Sequence, residues 1–336
     1  MRTQYIIYWL FALLAISSCS RDEQEEIVAT RQLHVLLLPH ELGDMGYGDA
    51  VLRGIQTIRR DNKEIDVRIY QPESMEEGEA LFYAWAESDN HAQPSLFVIA
   101  GDDYEYMLVE YLDEHNLSRG KEILLFESEN ILNLPIYNFY MTSYGASYLA
   151  GVTAAECADN PPLIVWGNET DSSTYCAIDG FTDGYCSRVA HNEVDFVVMA
   201  EDWTGYAMAN QVYAMMSEWV KSYDFIYPVA GGSNNGVYRY LRDFAANTYT
   251  TGFDADCSHL SSQVVGSTIK HIDALIVAFV KQWIERGDMP EQSVYGLESG
   301  FVEWELAPAY ETKYRDIVEA TLTMAIQKER EYEQAL

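Results

Sequence analysis

Short apolar runs alternate with longer amphipathic segments along most of this chain, and the alternation restricts its possible folds more than any other feature. An aliphatic run at 34–38 precedes a helical pattern at 49–61, which is followed by a second strand pattern at 65–70. A continuous apolar run indicates a strand that is buried on both faces of a parallel sheet. Repeated strand–helix units of this length predict parallel sheets with helices on both faces.

The number of predicted strands, about eleven or twelve, is too large for one ordinary open sheet, so we predict an α/β fold with two doubly wound parallel-sheet domains. Ligands of such folds bind beyond the carboxyl ends of the strands. Two sheets that present their exit loops to each other would form a cleft. The segments that leave the predicted strands are polar, glycine-rich or aromatic, and lie at 39–49, 101–103, 127–130, 167–173, 202–205, 231–236 and 254–258.

The N-terminus has the pattern of a lipoprotein export signal. Arg2 precedes an apolar stretch at 5–16, and small residues lead to Cys19. The stretch is too short to span a bilayer and suits a cleaved signal. We therefore predict a signal peptide at 1–18, lipid attachment at Cys19, an acidic tether at 19–31, and a membrane-anchored protein outside the cytoplasm, facing the periplasm or at the cell surface. The alternative is an ordinary secretory signal with an incidental cysteine.

Charge and cysteine content exclude several kinds of site. The net charge of −32 would repel phosphate backbones, so the sequence argues against nucleic-acid binding. Four cysteines follow the lipid site and could form disulfides in an oxidising compartment, although free thiols are the default expectation. Cys176 and Cys186 are expected to share one helix, at a distance that prevents a bond between them. The other two are Cys157 and Cys257.

Motifs for catalysis and for metal binding are weak. The sequence GASYL at 145–149 lacks the second glycine of a nucleophile elbow, and GGSNNG at 231–236 lacks the Lys-Ser/Thr ending of a phosphate loop. The histidines have no ligand spacing, and Asp254 with Asp256 is more typical of a loop pair than of a metal site. We predict no catalytic residues, no metal and no cofactor.

Aromatic and acidic residues in the exit loops favour a binding site. Tyr47 and Trp203 lie in exit loops from different halves of the chain, where facing rings can hold a flat ligand. Asp44 and Asp254 lie at similar exits, and carboxylates suit the hydroxyls of a sugar. The competing interpretation of both acids is helix or turn capping.

Six motifs in consistent order resemble the basic membrane protein (BMP) family of ABC-transporter substrate-binding lipoproteins, and within it the purine nucleoside receptor branch. SYGASYLAGVTAA at 143–155 is similar to the family's EGSYLAG helix, and DGFTDG at 179–184 to its AGFEAG helix. The remaining matches are AGGSNNGV at 230–237, TGFDAD at 251–256, TIKHID at 268–273 and YGLESG at 295–300.

The resemblance implies the type I periplasmic-binding-protein fold, in which a three-crossover hinge joins two doubly wound domains that close on a ligand. We expect an N-terminal lobe at 32–138 plus 254–290 and a C-terminal lobe at 139–253 plus 291–310. A C-terminal helix is expected at 311–336.

The resemblance also implies the ligand-binding positions. Tyr47 and Trp203 correspond to stacking phenylalanines, and Asp254 to an aspartate that binds ribose hydroxyls. The full implied set is Asp44, Tyr47, Glu127, Trp203, Gly232, Asp254 and Lys270. Glu127 would replace a family aspartate, Lys270 would complete the pocket, and Gly232 would bring backbone close to the ligand. The sequence GDMGYGD at 43–49 departs from the family's DDKSFNQ, which leaves the identity of the ligand open.

The predicted function is that of a lipid-anchored solute-binding protein that captures a small ligand, a purine nucleoside first of all, and delivers it to an ABC permease. Three alternatives remain at this point. One is a surface or periplasmic lipoprotein that binds another metabolite for sensing or scavenging. Another is a nucleoside or glycoside hydrolase that uses two acids of the cleft. The last is a structural surface protein without a specific ligand.

Overall fold

Two six-stranded sheets form the framework of the protein. The computed structural model describes residues 30–89, 93–128, 135–189, 193–244, 247–290 and 292–335. The predicted signal peptide and Cys19 lie outside the described residues. Among those residues, no helix is both long enough and apolar enough to cross a bilayer.

All strands of the first sheet run parallel, in the order β11-β5-β4-β3-β1-β2. Its strands are β1 (Arg31–Leu36), β2 (Ile65–Tyr70), β3 (Ser95–Ile99), β4 (Lys121–Phe126), β5 (Tyr137–Met141) and β11 (Gln292–Tyr295). Every residue of β3 is buried, as is typical of a central strand in a parallel sheet.

The second sheet has the order β12-β10-β9-β8-β6-β7, and its strands are parallel except for β12, which is antiparallel to β10. Its strands are β6 (Leu163–Asn168), β7 (Asp195–Ala200), β8 (Phe225–Val229), β9 (Tyr249–Asp254), β10 (Val264–Lys270) and β12 (Val302–Leu306). The prediction of a two-sheet α/β fold is confirmed.

Helices pack against both sheets, and each sheet with its helices forms one lobe of the molecule. The first lobe contains the first sheet with α1 (Tyr47–Asp61), α2 (Met75–Ala86), α3 (Glu105–Glu114) and α8 (Ile272–Arg286). The second lobe contains the second sheet with α4 (Tyr144–Cys157), α5 (Tyr175–Cys186), α6 (Ala209–Trp219), α7 (Asn234–Asp243) and α9 (Pro308–Glu333). Cys176 and Cys186 share helix α5 as predicted, and the four described cysteines are free.

Helices α4 and α5 pack with their backbones in close approach, which explains two of the motifs noted in the sequence. A Cβ atom on Gly151 would lie 2.1 Å from the carbonyl oxygen of Phe181, and one on Gly184 would lie 2.0 Å from that of Tyr148. Such distances are far below van der Waals contact, so only glycine fits.

The chain crosses between the lobes three times, at 141–144, 270–272 and 295–302. These crossings differ from the boundaries expected from the sequence. Strand β10 falls in the segment 254–290 assigned to the N-terminal lobe, but it pairs with β9 in the second sheet. Strand β11 falls in the segment assigned to the C-terminal lobe, but it pairs with β5 in the first sheet. Helix α9 begins at Pro308 rather than at 311.

Glu329 of α9 holds two of these crossings together. Its side chain is buried, its Oε2 accepts a hydrogen bond from the Gly145 N–H at 2.8 Å, and its Oε1 accepts one from the Leu297 N–H at 2.7 Å. Burial raises the pKa of Glu329 to about 7. The C-terminal helix is therefore part of the hinge, although it lies at the far end of the sequence.

Candidate functional site

A cleft with a volume of about 870 Å³, including the space at its open mouth, lies between the lobes at the carboxyl ends of the strands. Each of the exit segments predicted from the sequence contributes lining residues, from His40 in the first to Asp254 in the last. The position agrees with the general rule for open α/β sheets.

All of the residues implied by the family resemblance line this one cleft: Asp44, Tyr47, Glu127, Trp203, Gly232, Asp254 and Lys270. Their contact with a ligand stays a prediction. The sequence reasoning did not select several other lining residues, namely His40, Glu41, Asp102, Asp103, Asp171 and Tyr206. Most of these residues lie in the exit segments predicted from the sequence, and that position is the feature by which they could have been found. Their residue types alone do not distinguish them from residues that cap helices and turns.

Lys270, Glu127 and Asp254 form a group that we call the lysine cluster. Lys270 Nζ of the second lobe lies 3.1 Å from Glu127 Oε1 of the first, and the two side chains are only 6% and 5% exposed. Glu127 Oε2 also accepts a hydrogen bond from the Met141 N–H at 3.1 Å. A buried ion pair therefore joins the lobes across the cleft.

The pKa values in the lysine cluster follow from burial and from the shared cation. Burial raises the pKa of Asp254 to about 7, and Lys270 opposes that rise. Burial also raises the pKa of Glu127, although Lys270 and the Met141 N–H counteract it. Burial disfavours the charged form of Lys270, but Glu127 and Asp254 outweigh it and raise the pKa of the lysine. Lys270 therefore stays charged.

Backbone strain is concentrated at the cleft. The described residues other than glycine with positive φ are His40 (60°), Met45 (58°), Glu127 (61°) and Asp254 (67°). Left-handed backbone is uncommon for such residues and occurs often at functional sites. Three of the four line the cleft. The two acids of the lysine cluster, Glu127 after β4 and Asp254 at the end of β9, both have this left-handed backbone.

Asp44 and Asp254, paired in the sequence analysis, differ in the structure. The Asp44 carboxylate accepts hydrogen bonds from the backbone N–H groups of Gly46 (2.8 Å), Gly48 (2.9 Å) and Asp49 (3.2 Å) at the start of α1. Asp44 therefore caps the start of α1, as the competing interpretation of this residue held. Asp254 is 9% exposed, and within the described residues its carboxylate receives no hydrogen bond.

The aromatic residues of the cleft come from both lobes. Trp203, beyond β7, stacks on His40, beyond β1, with ring centroids 5.8 Å apart and an interplanar angle of 26°. The sequence suggested a pairing of Trp203 with Tyr47 and missed His40. Tyr47 lines the cleft at the start of α1, and its hydroxyl is buried without a hydrogen-bond partner in the described chain. Burial raises the pKa of Tyr47 well above its usual value.

Gly232 occupies a narrow part of the wall. A Cβ atom there would lie 2.9 Å from the Tyr206 carbonyl oxygen and 3.6 Å from Asp44 Cβ of the other lobe. A side chain at this position would push against Tyr206 and narrow the space between the lobes. The expected approach of the Gly232 backbone to a ligand stays a prediction.

Asp102 and Asp103 of the first lobe and Asp171 of the second form a group that we call the aspartate cluster. Asp171 Oδ1 accepts hydrogen bonds from the Ser173 N–H at 2.9 Å and the Ser173 hydroxyl at 2.6 Å, and its Oδ2 accepts one from the Tyr206 hydroxyl. Burial, followed by the nearby charge of Asp171, raises the pKa of Asp103 to about 7 and that of Asp102 well above its usual value. The cluster contains no cation.

A comparison with known families assigns the chain. The profile of the Bmp family, described as ABC transporter substrate-binding protein PnrA-like, matches residues 32–332. The chain belongs to the Bmp family. The resemblance predicted from six short motifs is therefore confirmed. No curated protein matches the sequence.

Solved structures agree with this fold. An ABC transporter solute-binding protein from Aeropyrum pernix K1 has a TM-score of 0.68 and 15% identity, over 90% of this chain and 86% of that one. A transcriptional activator of the comK gene from Bacillus halodurans has a TM-score of 0.65 and 18% identity, over 89% and 98%. A LacI family regulator from Enterococcus faecium with bound ribose has a TM-score of 0.60 and 15% identity, over 82% and 96%.

Membership in the Bmp family makes this an extracytoplasmic substrate-binding protein of an ABC transporter, with a small-molecule ligand and a permease partner. The family consists of binding proteins and not of enzymes. In the part of the chain that the structure describes, no group of three or more histidine, cysteine or acidic side chains could hold a metal ion. The cleft of this Bmp protein therefore offers aromatic faces, hydrogen-bond acceptors and one paired cation.

Proposed function

We propose that this Bmp-family protein captures a purine nucleoside in the cleft between its lobes and presents it to an ABC permease, while a lipid on Cys19 holds it at the membrane. The observation that carries the ligand proposal is the Asp254 carboxylate, which is buried in the cleft without a hydrogen-bond donor from the described residues. Buried polar groups normally have partners, and a ligand hydroxyl would supply one.

Aromatic rings supply the second part of a nucleoside site. Tyr47 belongs to the first lobe and Trp203 to the second, so a planar base between the lobes would contact both. Stacking of a base on an aromatic side chain contributes ~1–3 kcal/mol. Trp203 already stacks on His40. A base would replace or extend that ring contact.

Contacts across the cleft connect ligand capture with closure of the lobes. The Lys270–Glu127 ion pair, the His40–Trp203 stack and a 3.1 Å hydrogen bond from Asn235 Nδ2 to the Asp44 carbonyl oxygen all join one lobe to the other. A ligand that touches both lobes binds the closed arrangement more tightly and shifts the population toward it. A permease could then distinguish the loaded protein by its shape.

A thermal-shift screen of the purified protein tests the ligand. The probes are inosine, guanosine and adenosine, compared with pyrimidine nucleosides, free bases and common sugars. A ligand at 100 times its dissociation constant stabilises the folded state by about 2.7 kcal/mol. We expect purine nucleosides to raise the melting temperature most. A response to another class alone, or to none, would overturn the nucleoside proposal, and chemical alteration of the recovered nucleoside would indicate the hydrolase alternative.

Two variants locate the binding site. Asp254→Ala and Trp203→Ala should each abolish most of the nucleoside-induced shift while the ligand-free protein stays folded. The matched control is Asp256→Ala, because Asp256 is an exposed acid of the same exit segment. A loss of the shift in the control, or its retention in both cleft variants, would place the nucleoside elsewhere.

Membrane attachment is tested at Cys19. The proposal rests on the small residues before Cys19 and on the apolar stretch at 5–16. Cys19→Ala should move the protein from the membrane fraction to the soluble fraction and remove fatty-acid labelling. Persistence of the variant in the membrane fraction would mean that another segment or partner holds it there.

A further inference from the structure

Four strands lie at the ends of the two sheets, and β7 differs from the other three. Strand β2 carries the Asp66–Arg68 ion pair at 2.9 Å, and β12 carries Glu303 and Glu305. Strand β11 has only four residues. Charged side chains and short length are common means by which an edge strand avoids pairing with another chain. These three edges are therefore protected.

Strand β7 has neither form of protection. Its sequence is DFVVMA, and every residue after Asp195 is uncharged. Phe196 is 50% exposed and Val198 is 37% exposed, and both side chains lie on the same face of the sheet. Among the described residues, β7 pairs with β6 and with no other strand. The outer side of β7 is therefore an open and apolar edge.

The free backbone groups of this edge belong to the same two exposed residues. The Asp195 N–H donates a hydrogen bond to the Pro162 carbonyl oxygen at 3.0 Å, on the side of β6. Because backbone groups of successive residues in a strand point to opposite sides, those of Phe196 and Val198 point away from β6. No described residue pairs with them. An additional strand could therefore extend the second sheet at this edge.

Two aromatic residues widen the apolar surface beside the open edge. Trp166 of β6 pairs with Val198 in the sheet, so the two side chains lie on one face. Tyr175 of α5 is 40% exposed and contacts Trp166, with ring centroids 5.2 Å apart. We call Trp166, Tyr175, Phe196 and Val198 the β7 patch. An exposed apolar patch with a polar rim is typical of an interaction site.

The rim of the β7 patch is acidic. The segments 163–175 and 193–203 contain no lysine and no arginine. Their exposed acids are Glu169, Glu193, Asp195, Glu201 and Asp202. A second copy of this chain would bring the same acids against each other, and the net charge of −32 adds to that repulsion. The charge of the rim instead complements a segment with lysine or arginine side chains.

Strand β7 lies on the side of the second lobe that is away from the hinge. The strands next to the three crossings, β5, β10, β11 and β12, lie toward one end of their sheets. Strand β7 lies at the other end of the second sheet, and Trp203, beyond β7, lines the cleft. A partner that contacts β7 is therefore beside the open side of the cleft, where the solute enters and leaves.

We propose that β7 is a docking strand, to which an extended, positively charged segment of the ABC permease adds as a further strand while its apolar side chains pack on the β7 patch. In such strand addition the main chain supplies hydrogen bonds and the side-chain contacts supply specificity. Membership in the Bmp family supplies the permease as partner. The inference goes beyond the proposed capture of a nucleoside and does not depend on the identity of the solute.

The experiment is site-specific photo-cross-linking in cells that produce the full chain together with its ABC permease. Photoreactive benzoylphenylalanine replaces Phe196 in one protein and Phe244 in the control. Phe244 is 51% exposed and follows α7, which packs on the opposite face of the second sheet. We expect Phe196 replacement to give adducts that mass spectrometry identifies as the permease, and Phe244 replacement to give roughly tenfold fewer.

Changes at Val198, made with the photoreactive group at Phe196, test charge and backbone separately. Val198→Lys and Val198→Glu remove the same apolar side chain and add opposite charges, so we expect roughly tenfold fewer adducts from the lysine variant. Val198→Pro removes the outward N–H and leaves the hydrogen bonds to β6 in place, whereas Val198→Thr keeps that N–H. We expect roughly tenfold fewer adducts from the proline variant than from the threonine variant. Thermal unfolding shows whether each variant is folded, and the charge pair decides the question if the proline variant is not.

The outcomes distinguish this inference from its rivals and from the nucleoside proposal. Absence of permease adducts from Phe196 replacement, equal yields from both phenylalanine positions, or equal yields from the two charge variants would each overturn the docking strand. Adducts that contain only a second copy of this chain would also overturn it and indicate self-association. Permease adducts without a thermal shift by purine nucleosides would retain the docking strand and remove the nucleoside. A nucleoside-induced shift without permease adducts would do the reverse.

Discussion

The lysine cluster and the aspartate cluster contain the same kind of side chain, at the same edges of the two sheets and in the same cleft. In the lysine cluster, Glu127 contacts a cation from the opposite lobe at 3.1 Å, and the contact holds the lobes together. In the aspartate cluster, no cation from the opposite lobe lies beside Asp103 among the described residues, and burial followed by the charge of Asp171 raises the pKa of Asp103 to about 7. The difference teaches that a buried carboxylate in this fold has no fixed role. The charge of the group that faces it across the cleft decides whether a carboxylate stabilises or destabilises the contact between the lobes.

Removal of the cation from the lysine cluster should have the largest effect on stability. Lys270→Met leaves the buried Glu127 carboxylate unpaired, and we expect a loss of about 3–5 kcal/mol in the free energy of unfolding, measured with urea. The control is Lys281→Met, whose partner Glu285 lies 3.9 Å away on the exposed face of α8 and contributes at most ~1 kcal/mol.

A double variant sharpens this result. Lys270→Met combined with Glu127→Gln removes both charges and should recover part of the lost stability, because no unpaired charge remains. If Lys270→Met lowers the free energy of unfolding no more than Lys281→Met does, the buried ion pair does not stabilise the protein, and the two clusters do not differ in this respect.

Neutralisation of the aspartate cluster should have the opposite sign. Because the pKa of Asp103 rises from 3.8 to about 7 on folding, the folded chain binds more protons between these values. Its stability therefore falls as the pH rises from about 4 to about 7. Asp103→Asn should remove this loss and stabilise the ligand-free protein by roughly 1–2 kcal/mol near pH 8, with a smaller gain near pH 5.

Urea denaturation across that pH range measures the effect, with Asp113→Asn as the surface control. A pH-independent gain, or a loss of stability at the higher pH, would show that Asp103 is already compensated in the ligand-free protein. The two clusters would then be alike.

The smallest expected difference separates the two acids that the sequence placed together. Asp44→Ala removes a carboxylate that accepts three backbone N–H groups and should cost about 1 kcal/mol of stability. Asp254→Ala removes a buried acid with no hydrogen bond from the described residues and should cost nothing or stabilise the protein near neutral pH. Thermal unfolding of both variants without ligand makes the comparison, and equal losses would contradict it.

The sequence predicted the strands with continuous apolar runs and missed the boundaries that depend on pairing. Strand β10 has the sequence VVGSTIK, in which glycine, serine and threonine interrupt the apolar pattern, yet all seven residues are buried. Strand β11 has only four residues. Which sheet each strand joins depends on its neighbours β9 and β5, which lie far away in the sequence. Local periodicity does not contain that information.

In the candidate site, too, the sequence predicted some residues and missed those whose role depends on distant contacts. The order of the family motifs predicted that Tyr47, Trp203 and Asp254 line one cleft, because each residue lies at or beyond the end of a strand whose position the fold dictates. The aspartate cluster escaped prediction, since Asp103 and Asp171 are ordinary loop acids until the two lobes bring them together. Likewise, the capping role of Asp44 depends on the direction in which α1 begins.

The hinge contact of Glu329 has a consequence for how the protein acquires its shape. Strands β11 and β12, which complete the edges of the two sheets, and the residue that fastens two crossings all lie in the final part of the chain. Chains are synthesised from the N-terminus, and native contacts between distant segments form slowly. Neither lobe can finish its sheet, and the cleft cannot reach its final geometry, until nearly the whole polypeptide has emerged. Termination before β11 would therefore leave both lobes without an edge strand rather than one intact lobe and one damaged one.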